Sequence, residues 1–291
     1  MLGYNGTILR HNTKWLGNVI VPPTPPTPDP YNPLNLPPYT LRVRTDGNPP
    51  DESRGYTTFV TATLVPGTSD IYDVTGEPGT SMRRLLAYSE NVIEVLGANT
   101  TGITDMQEMF AGCSELIGSV VFDTRLVTNM EGMFLDCVKL VTVPHFDTHN
   151  VTSFFQTFCD CESVVSFPDF DTSSAVNMWM MFCECYSMKQ CPNINTRNVQ
   201  NFDSMFWMCR NLEVVPQLDM TSATSVYAMF IYCYKAASGQ LSMYNTMSAK
   251  SALSSLSKHK YCFTSCGRDS QTGSAELAQI PSGWKEPGEY S

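Results

Sequence analysis

From Asn99 onward the chain counts in twenty-fours. Phenylalanine stands at Phe110, Phe134, Phe158, Phe182, Phe206 and Phe230, and cysteine at Cys113, Cys137, Cys161, Cys185, Cys209 and Cys233, both series stepping by 24 without insertion through Ser242. A unit this short cannot enclose a core, so each copy must bury its apolar residues against its neighbours and the copies must stack. The shared phrase is D-T-x-x-V-T-x-M-x-x-M-F-x-x-C-x-x-L-x-x-V-P-x-F. Its positions 8, 11, 12 and 15, which are Met130, Met133, Phe134 and Cys137 in the second copy, have the i, i+3, i+4, i+7 spacing of a helical face. The spacing predicts a short helix per unit. Thr104 before Gln107 and Thr128 before Glu131 carry the capping-box signature of its start. The second half of the unit, residues 139–144 in the second copy, is β-branched and ends at a recurring proline (Pro144, Pro168, Pro192 and Pro216). Proline cannot continue a central strand, so a short strand closed by a turn is expected.

The repeated phrase resembles the BspA-like leucine-rich repeats, in the Met-Phe-x-x-Cys variant of bacterial surface proteins and phage or prophage proteins, over residues 99–242. The closing phrase at 266–284 is similar to the end of such arrays. The resemblance implies an α/β fold, a leucine-rich-repeat solenoid of 24-residue strand-helix units with a continuous strand ladder on one face. A small β N-terminal cap and a helical C-terminal cap complete the expected architecture.

Around the array the chain divides readily. Residues 1–21 form a short head. Residues 22–38 hold nine prolines in seventeen positions, a composition that favours an extended left-handed helix of about 3.1 Å per residue and so a stiff spacer. Residues 39–98 contain β-patterned stretches at 41–44, 57–65 and 71–74 between turn signals. The same stretch holds a degenerate zeroth repeat at 81–97, where Leu85, Leu86, Ser89 and Val92 fall 24 before Met109, Phe110, Cys113 and Leu116. Six repeats fill 99–242. Residues 243–291 form a seventh, capping unit, with Phe263 and Cys266 displaced by a nine-residue insertion and a helix expected over 240–256.

Charge and motifs exclude several functions. With 28 acidic against 18 basic side chains, a net charge of −10 and no basic run, nothing offers a footprint for nucleic acid or an anionic membrane. No stretch reaches the ~18–20 apolar residues of a spanning helix, so no membrane insertion is expected. Met1–Ile20 lacks the apolar core of a secretory signal, which makes the host cytoplasm the expected place of synthesis. Four histidines (His11, His145, His149 and His259) fit no metalloprotease, nucleophile-elbow or phosphate-loop pattern, and no catalytic residue, cofactor or metal is assigned. The cysteine ladder reads as buried free thiols, since position 15 lies on the inner face and neighbouring copies project in parallel. If any pair oxidises, Cys159 and Cys183 at position 13 are the choice. The Asn/Asp ladder at position 1 reads as turn capping rather than calcium ligation.

One surface stands apart. At positions 9, 13, 14 and 16, read as outward, the first two repeats carry small or charged residues, whereas later ones carry Trp179, Tyr186, Trp207, Tyr227, Tyr232 and Tyr234. Exposed Trp and Tyr suit protein interfaces and sugar stacking, so these six form the expected binding patch. Tyr4, Ile8, Trp15 and Leu16 of the head are the expected anchoring residues. Combined with the resemblance, this reads as a non-enzymatic virion-associated structural, decoration or receptor-binding protein on the virion surface. Its N-terminus would meet other virion proteins, and its repeats a host or environmental surface protein or glycan. The alternatives are a BspA-like adhesin on the bacterial cell surface and an intracellular interaction scaffold. Association with further copies of the chain is compatible with each.

Overall fold

The computed structural model describes residues 29–51 and 57–285. The head, with Tyr4, Ile8, Trp15 and Leu16, lies outside them. A five-stranded mixed sheet occupies the N-terminal end: β1 (Thr40–Thr45), β2 (Thr61–Leu64), β3 (Ile71–Thr75), β4 (Val92–Asn99) and β5 (Gly118–Ser119), in the order β2-β3-β1-β4-β5. All pairings are antiparallel except β4 with β5. The alternation in β1 sends Leu41 and Val43 inward, fully buried beside Val74, Val92 and Val95. Its outward Arg42 pairs with Asp73 on β3 at 2.7 Å.

The proline-rich stretch ends docked on this sheet. Asn32 accepts from the Leu36 amide and donates to the Leu36 carbonyl, at 2.8 and 3.1 Å. Asn99 at the end of β4 also donates to that carbonyl, at 2.8 Å, and the Leu36 side chain is buried. Residues 29–36 are therefore turns held against the body through Asn32 and Leu36.

Beyond β4 the repeats stack in register. Parallel bridges join Ser81, Asp105, Asn129, Ser153, Asn177, Asn201 and Ser225 in one row, so the zeroth repeat is the first rung. Phe110, Phe134, Phe158, Phe182, Phe206, Phe230 and Phe263 form a column of rings with neighbouring centroids 5.3–6.0 Å apart. The C-terminal end closes with α1 (Gln240–Ser248), α2 (Leu256–His259) and α3 (Gln271–Ala278). Met243 and Met247 of α1 are buried. Trp284 stacks flat on His259 at 4.1 Å and packs near Phe263, covering the last ring.

The units themselves overturn the expected architecture. Up to the start of α1 at Gln240 none of the six repeats contains a helix, and only the first ends in a strand, the two-residue β5. The regular leucine-rich-repeat solenoid of strand-helix units is replaced by a small mixed sheet, few helices and coils built from turns. Overlapping turns run through each unit: Met109 N–H donates to Met106 O, Ala111 to Glu108 and Cys113 to Phe110. Positions 10 and 14 have positive φ in every repeat, for example Glu108 (54°), Gly112 (71°), Gln156 (53°) and Asp160 (59°). Positive φ at the third residue of a hydrogen-bonded turn is the mark of type II geometry.

This turn ribbon advances four residues at a time, and its alternate amides point along the stack. Glu108, Phe110 and Gly112 donate to Glu131, Met133 and Leu135 of the next unit at 2.7–2.9 Å. The same bonds recur up to Ala228, Phe230 and Tyr232, which donate to Lys260, Cys262 and Thr264. Backbone donors that a helix would spend on residue i−4 thus bind one unit to the next. Thr104 and Thr128 cap nothing; their hydroxyls donate to the Thr80 and Thr104 carbonyls one unit back. The turn is started instead by position 7, where Asp105, Asn129 and Asn177 accept from the amide two residues on, an Asx turn.

Candidate functional site

Which residues face inward is set by the turn ribbon, and the apolar positions read from the sequence are the buried ones. Met106, Met109, Phe110 and Cys113 are each fully buried, as are their counterparts along the array. The cysteine column has a specific task. Each position-15 thiol donates to the position-12 carbonyl of the preceding unit: Cys113 to Leu86, Cys137 to Phe110, Cys161 to Phe134, Cys185 to Phe158, Cys209 to Phe182 and Cys233 to Phe206, at 3.0–3.2 Å. A small apolar side chain with a weak donor meets the second lone pair of a buried carbonyl that already accepts from its own turn. Burial pushes these thiols far above the ordinary value, Cys113 to about 12, which makes them poor nucleophiles.

The position-1 side chains do the turn work that their Asn/Asp alternation implies. Asn99, Asp123, Asp147, Asp171, Asn195 and Asp219 all accept from the amide two residues on. Among the described residues, no group of three or more His, Cys, Asp or Glu is arranged to hold a metal ion. No helix there is long and apolar enough to cross a membrane.

The structure sorts the aromatic patch into linked groups rather than one platform. Trp179 packs against Phe155 of the preceding repeat, centroids 4.9 Å apart with the rings tilted by 40°, and keeps 41% of its surface exposed. Tyr186 lies under the Arg210 guanidinium at 4.6 Å and donates its hydroxyl to Glu184. Trp207, Tyr227 and Tyr232 are half-buried around Ala228, Ile231 and Tyr261, a second small core outside the main one. Tyr232 leads on to Tyr234 at 5.6 Å, and Arg268 of the capping unit covers Tyr234 at 3.7 Å.

Two corrections follow. Position 13 is not an open row: Ala111, Cys159, Cys183 and Ile231 are buried there, because side chains of successive units stack on one another at this level of the ribbon. The capping unit also takes up part of the aromatic face through Tyr261 and Arg268. Phe155 is the member that sequence reading missed. Its signal was available, since it occupies position 9, one unit before Trp179.

At position 14, three carboxylates stand in successive units on left-handed residues, Asp136, Asp160 and Glu184. Burial, together with Glu184 and Asp136, pushes the Asp160 carboxyl up to about 7.

Stacked turn-built coils, constant inner columns and a variable outer face define a repeat protein. A family profile described as "Mycoplasma protein of unknown function, DUF285" matches residues 80–191 and 143–246, more than half of the chain, and the chain belongs to that family. At family level this agrees with the likeness to BspA-like repeat proteins; it does not distinguish the Met-Phe-x-x-Cys variant. No curated protein and no solved structure gives a significant match to the chain.

Proposed function

We propose that the chain is a non-enzymatic recognition protein working at a surface, with the outer face of repeats three to six as its partner-binding side. The observation that carries this reading is the Phe155–Trp179 pair, an indole 41% exposed and packed at a tilt against a neighbouring ring. A large aromatic group held rigid before binding loses little conformational freedom when covered, which is why such residues dominate interfaces. The half-buried Trp207, Tyr227 and Tyr232 supply an apolar margin beside it. In the first two repeats positions 9 and 14 hold Gln107, Gly112, Glu131 and Asp136, which offer a partner far less apolar area.

The surface setting rests on the family likeness. Placement on a virion, with residues 1–21 as the anchor, rests on the sequence reading alone. Labelled full-length protein and a W179A variant, compared on an array of purified extracellular proteins, test the face. Retention is expected to fall at least about tenfold in the variant, and equal retention would overturn the assignment. Fractionating the native source into particles, envelope and free protein tests the setting. Recovery only as free protein would remove it.

A further inference from the structure

A second concave surface lies where one repeat passes into the next. Residues at positions 23, 24 and 1 drawn from repeats one to four line a groove of about 410 Å³, and Tyr31 from the end of the proline-rich stretch completes its wall. Phe146 and Phe170 lie at its base, almost fully buried. The variable column is the informative one. Position 24 is Phe in three successive repeats and position 1 is Asp in three, but position 23 runs Val121, His145, Asp169, Asn193, and all four of these side chains line the groove.

Tyr31 is placed there by a chain of contacts. Asp123, itself buried, grips the Arg125 guanidinium through two hydrogen bonds of 2.9 Å. That guanidinium lies over the Tyr31 ring, 5.2 Å from its centroid. The segment carrying the ring is fixed in turn by the Asn32–Leu36 bonds and by Asn99. An aromatic ring from one part of the chain is thereby held against a polar wall built by another.

We infer that this groove binds a neutral saccharide unit. The wall offers planar acceptors, Asp147, Asp169 and Asp171, beside groups able to donate, the Asn193 amide and the His145 ring. Two of the acceptors are oriented by backbone amides, Asp169 by Asn193 at 2.8 Å and Asp171 by Ser173 at 3.0 Å. A hydroxyl both donates and accepts, so a sugar ring can answer both kinds of partner. An ammonium or guanidinium group only donates and would leave the Asn193 side-chain NH2 without an acceptor. The three carboxylates repel sialylated, sulfated or phosphorylated ligands, and Tyr31 presents the ring on which an apolar sugar face can rest. The variable column at position 23 would then set which sugar is taken.

The test uses the full chain on an array of neutral oligosaccharides built from hexoses and N-acetylhexosamines, with sialylated and sulfated glycans printed alongside. Binding is expected to neutral members only, and to change by less than about twofold between about 50 and about 500 mM salt, since no charge pair drives it. Y31A and N193A are each expected to weaken it at least about tenfold, with thermal unfolding unchanged, while W179A leaves it intact. That last arm separates this groove from the outer aromatic face. No signal from neutral glycans at millimolar concentration would overturn the inference. So would loss of binding in W179A but not in Y31A or N193A, or preferential capture of Lys/Arg-rich control peptides that fades with salt.

Discussion

The inner and outer sides of the same turn ribbon obey different rules. Inside, position 12 is Phe and position 15 is Cys in all six repeats, because each ring meets the ring of the next coil and each thiol meets a carbonyl of the last. Outside, position 9 runs Gln107, Glu131, Phe155, Trp179, Asp203, Tyr227, with no common chemistry. A stacked array imposes identity only where a residue must match its copy one unit away. Columns released from that demand are where a function can be written.

The sharpest way to break this contrast is to remove one ring from each side. Phe158 is buried against Phe134, Phe167, Phe170 and Phe182, at centroid distances of 5.1–6.0 Å. F158A leaves a cavity in the middle of the column that stacked coils cannot collapse around independently, and should cost about 3–5 kcal/mol. W179A, on the outer side, should cost less than about 1 kcal/mol, since most of what it loses is a single tilted ring contact. Urea unfolding midpoints of the two variants measure the difference. Comparable losses would show that the outer ring is part of the core and retire it as a binding element.

A smaller effect probes the ribbon's backbone. Gly112 sits at φ 71°, and a Cβ there would fall inside the ring of Tyr88 one unit back. G112A therefore combines the left-handed penalty with overpacking, for about 2–4 kcal/mol. Gly132 has φ 59°, but the tightest contact of its Cβ would be the Glu108 side-chain Cγ, at 3.2 Å, with Leu135 at ordinary contact distance. G132A should cost about 1 kcal/mol, the left-handed term alone. Equal losses in thermal or urea unfolding would mean that the packing against Tyr88 contributes nothing.

These glycines also explain what the sequence did and did not disclose. The period and the inward positions were legible, because stacking writes burial directly into a 24-residue pattern. The local conformation was not. A ribbon advancing four residues per turn buries positions 8, 11, 12 and 15, the same set as a helix of 3.6 residues per turn, and over two turns the periods cannot be told apart. Discriminating marks were present. Gly112 and Gly132 interrupt the supposed helix interior, and no β-branched residue occupies position 10 or 14 in any repeat, as left-handed backbone requires. The aromatic face was legible as residues but not as a surface. The partners of Tyr227 and Tyr234 are Tyr261 and Arg268, which arrive from an inserted unit out of register. The groove at Tyr31 was illegible for a similar reason, since it needs a ring from the proline-rich stretch that no periodicity relates to the repeats.

The outer side carries a cost of its own, which pH exposes. Asp160 stands between Asp136 and Glu184 in the position-14 column, and burial with those two neighbours raises its carboxyl to about 7, against 3.8 for the ordinary group. A raised value means that the folded chain holds a proton the unfolded chain releases. The stabilisation is complete below about pH 4, where both states are protonated, and is lost as pH climbs through about 7. D160N keeps a side chain that tolerates left-handed backbone and removes the charge. It should match the natural chain near pH 4 and exceed its stability near pH 8 by about 1 kcal/mol, well below the full linkage value because the side chain retains contact with solvent. Urea midpoints of both proteins at the two pH values decide it. A difference independent of pH would show that the column bears its three charges without penalty, and that the outer side is as free of electrostatic constraint as it is of geometric constraint.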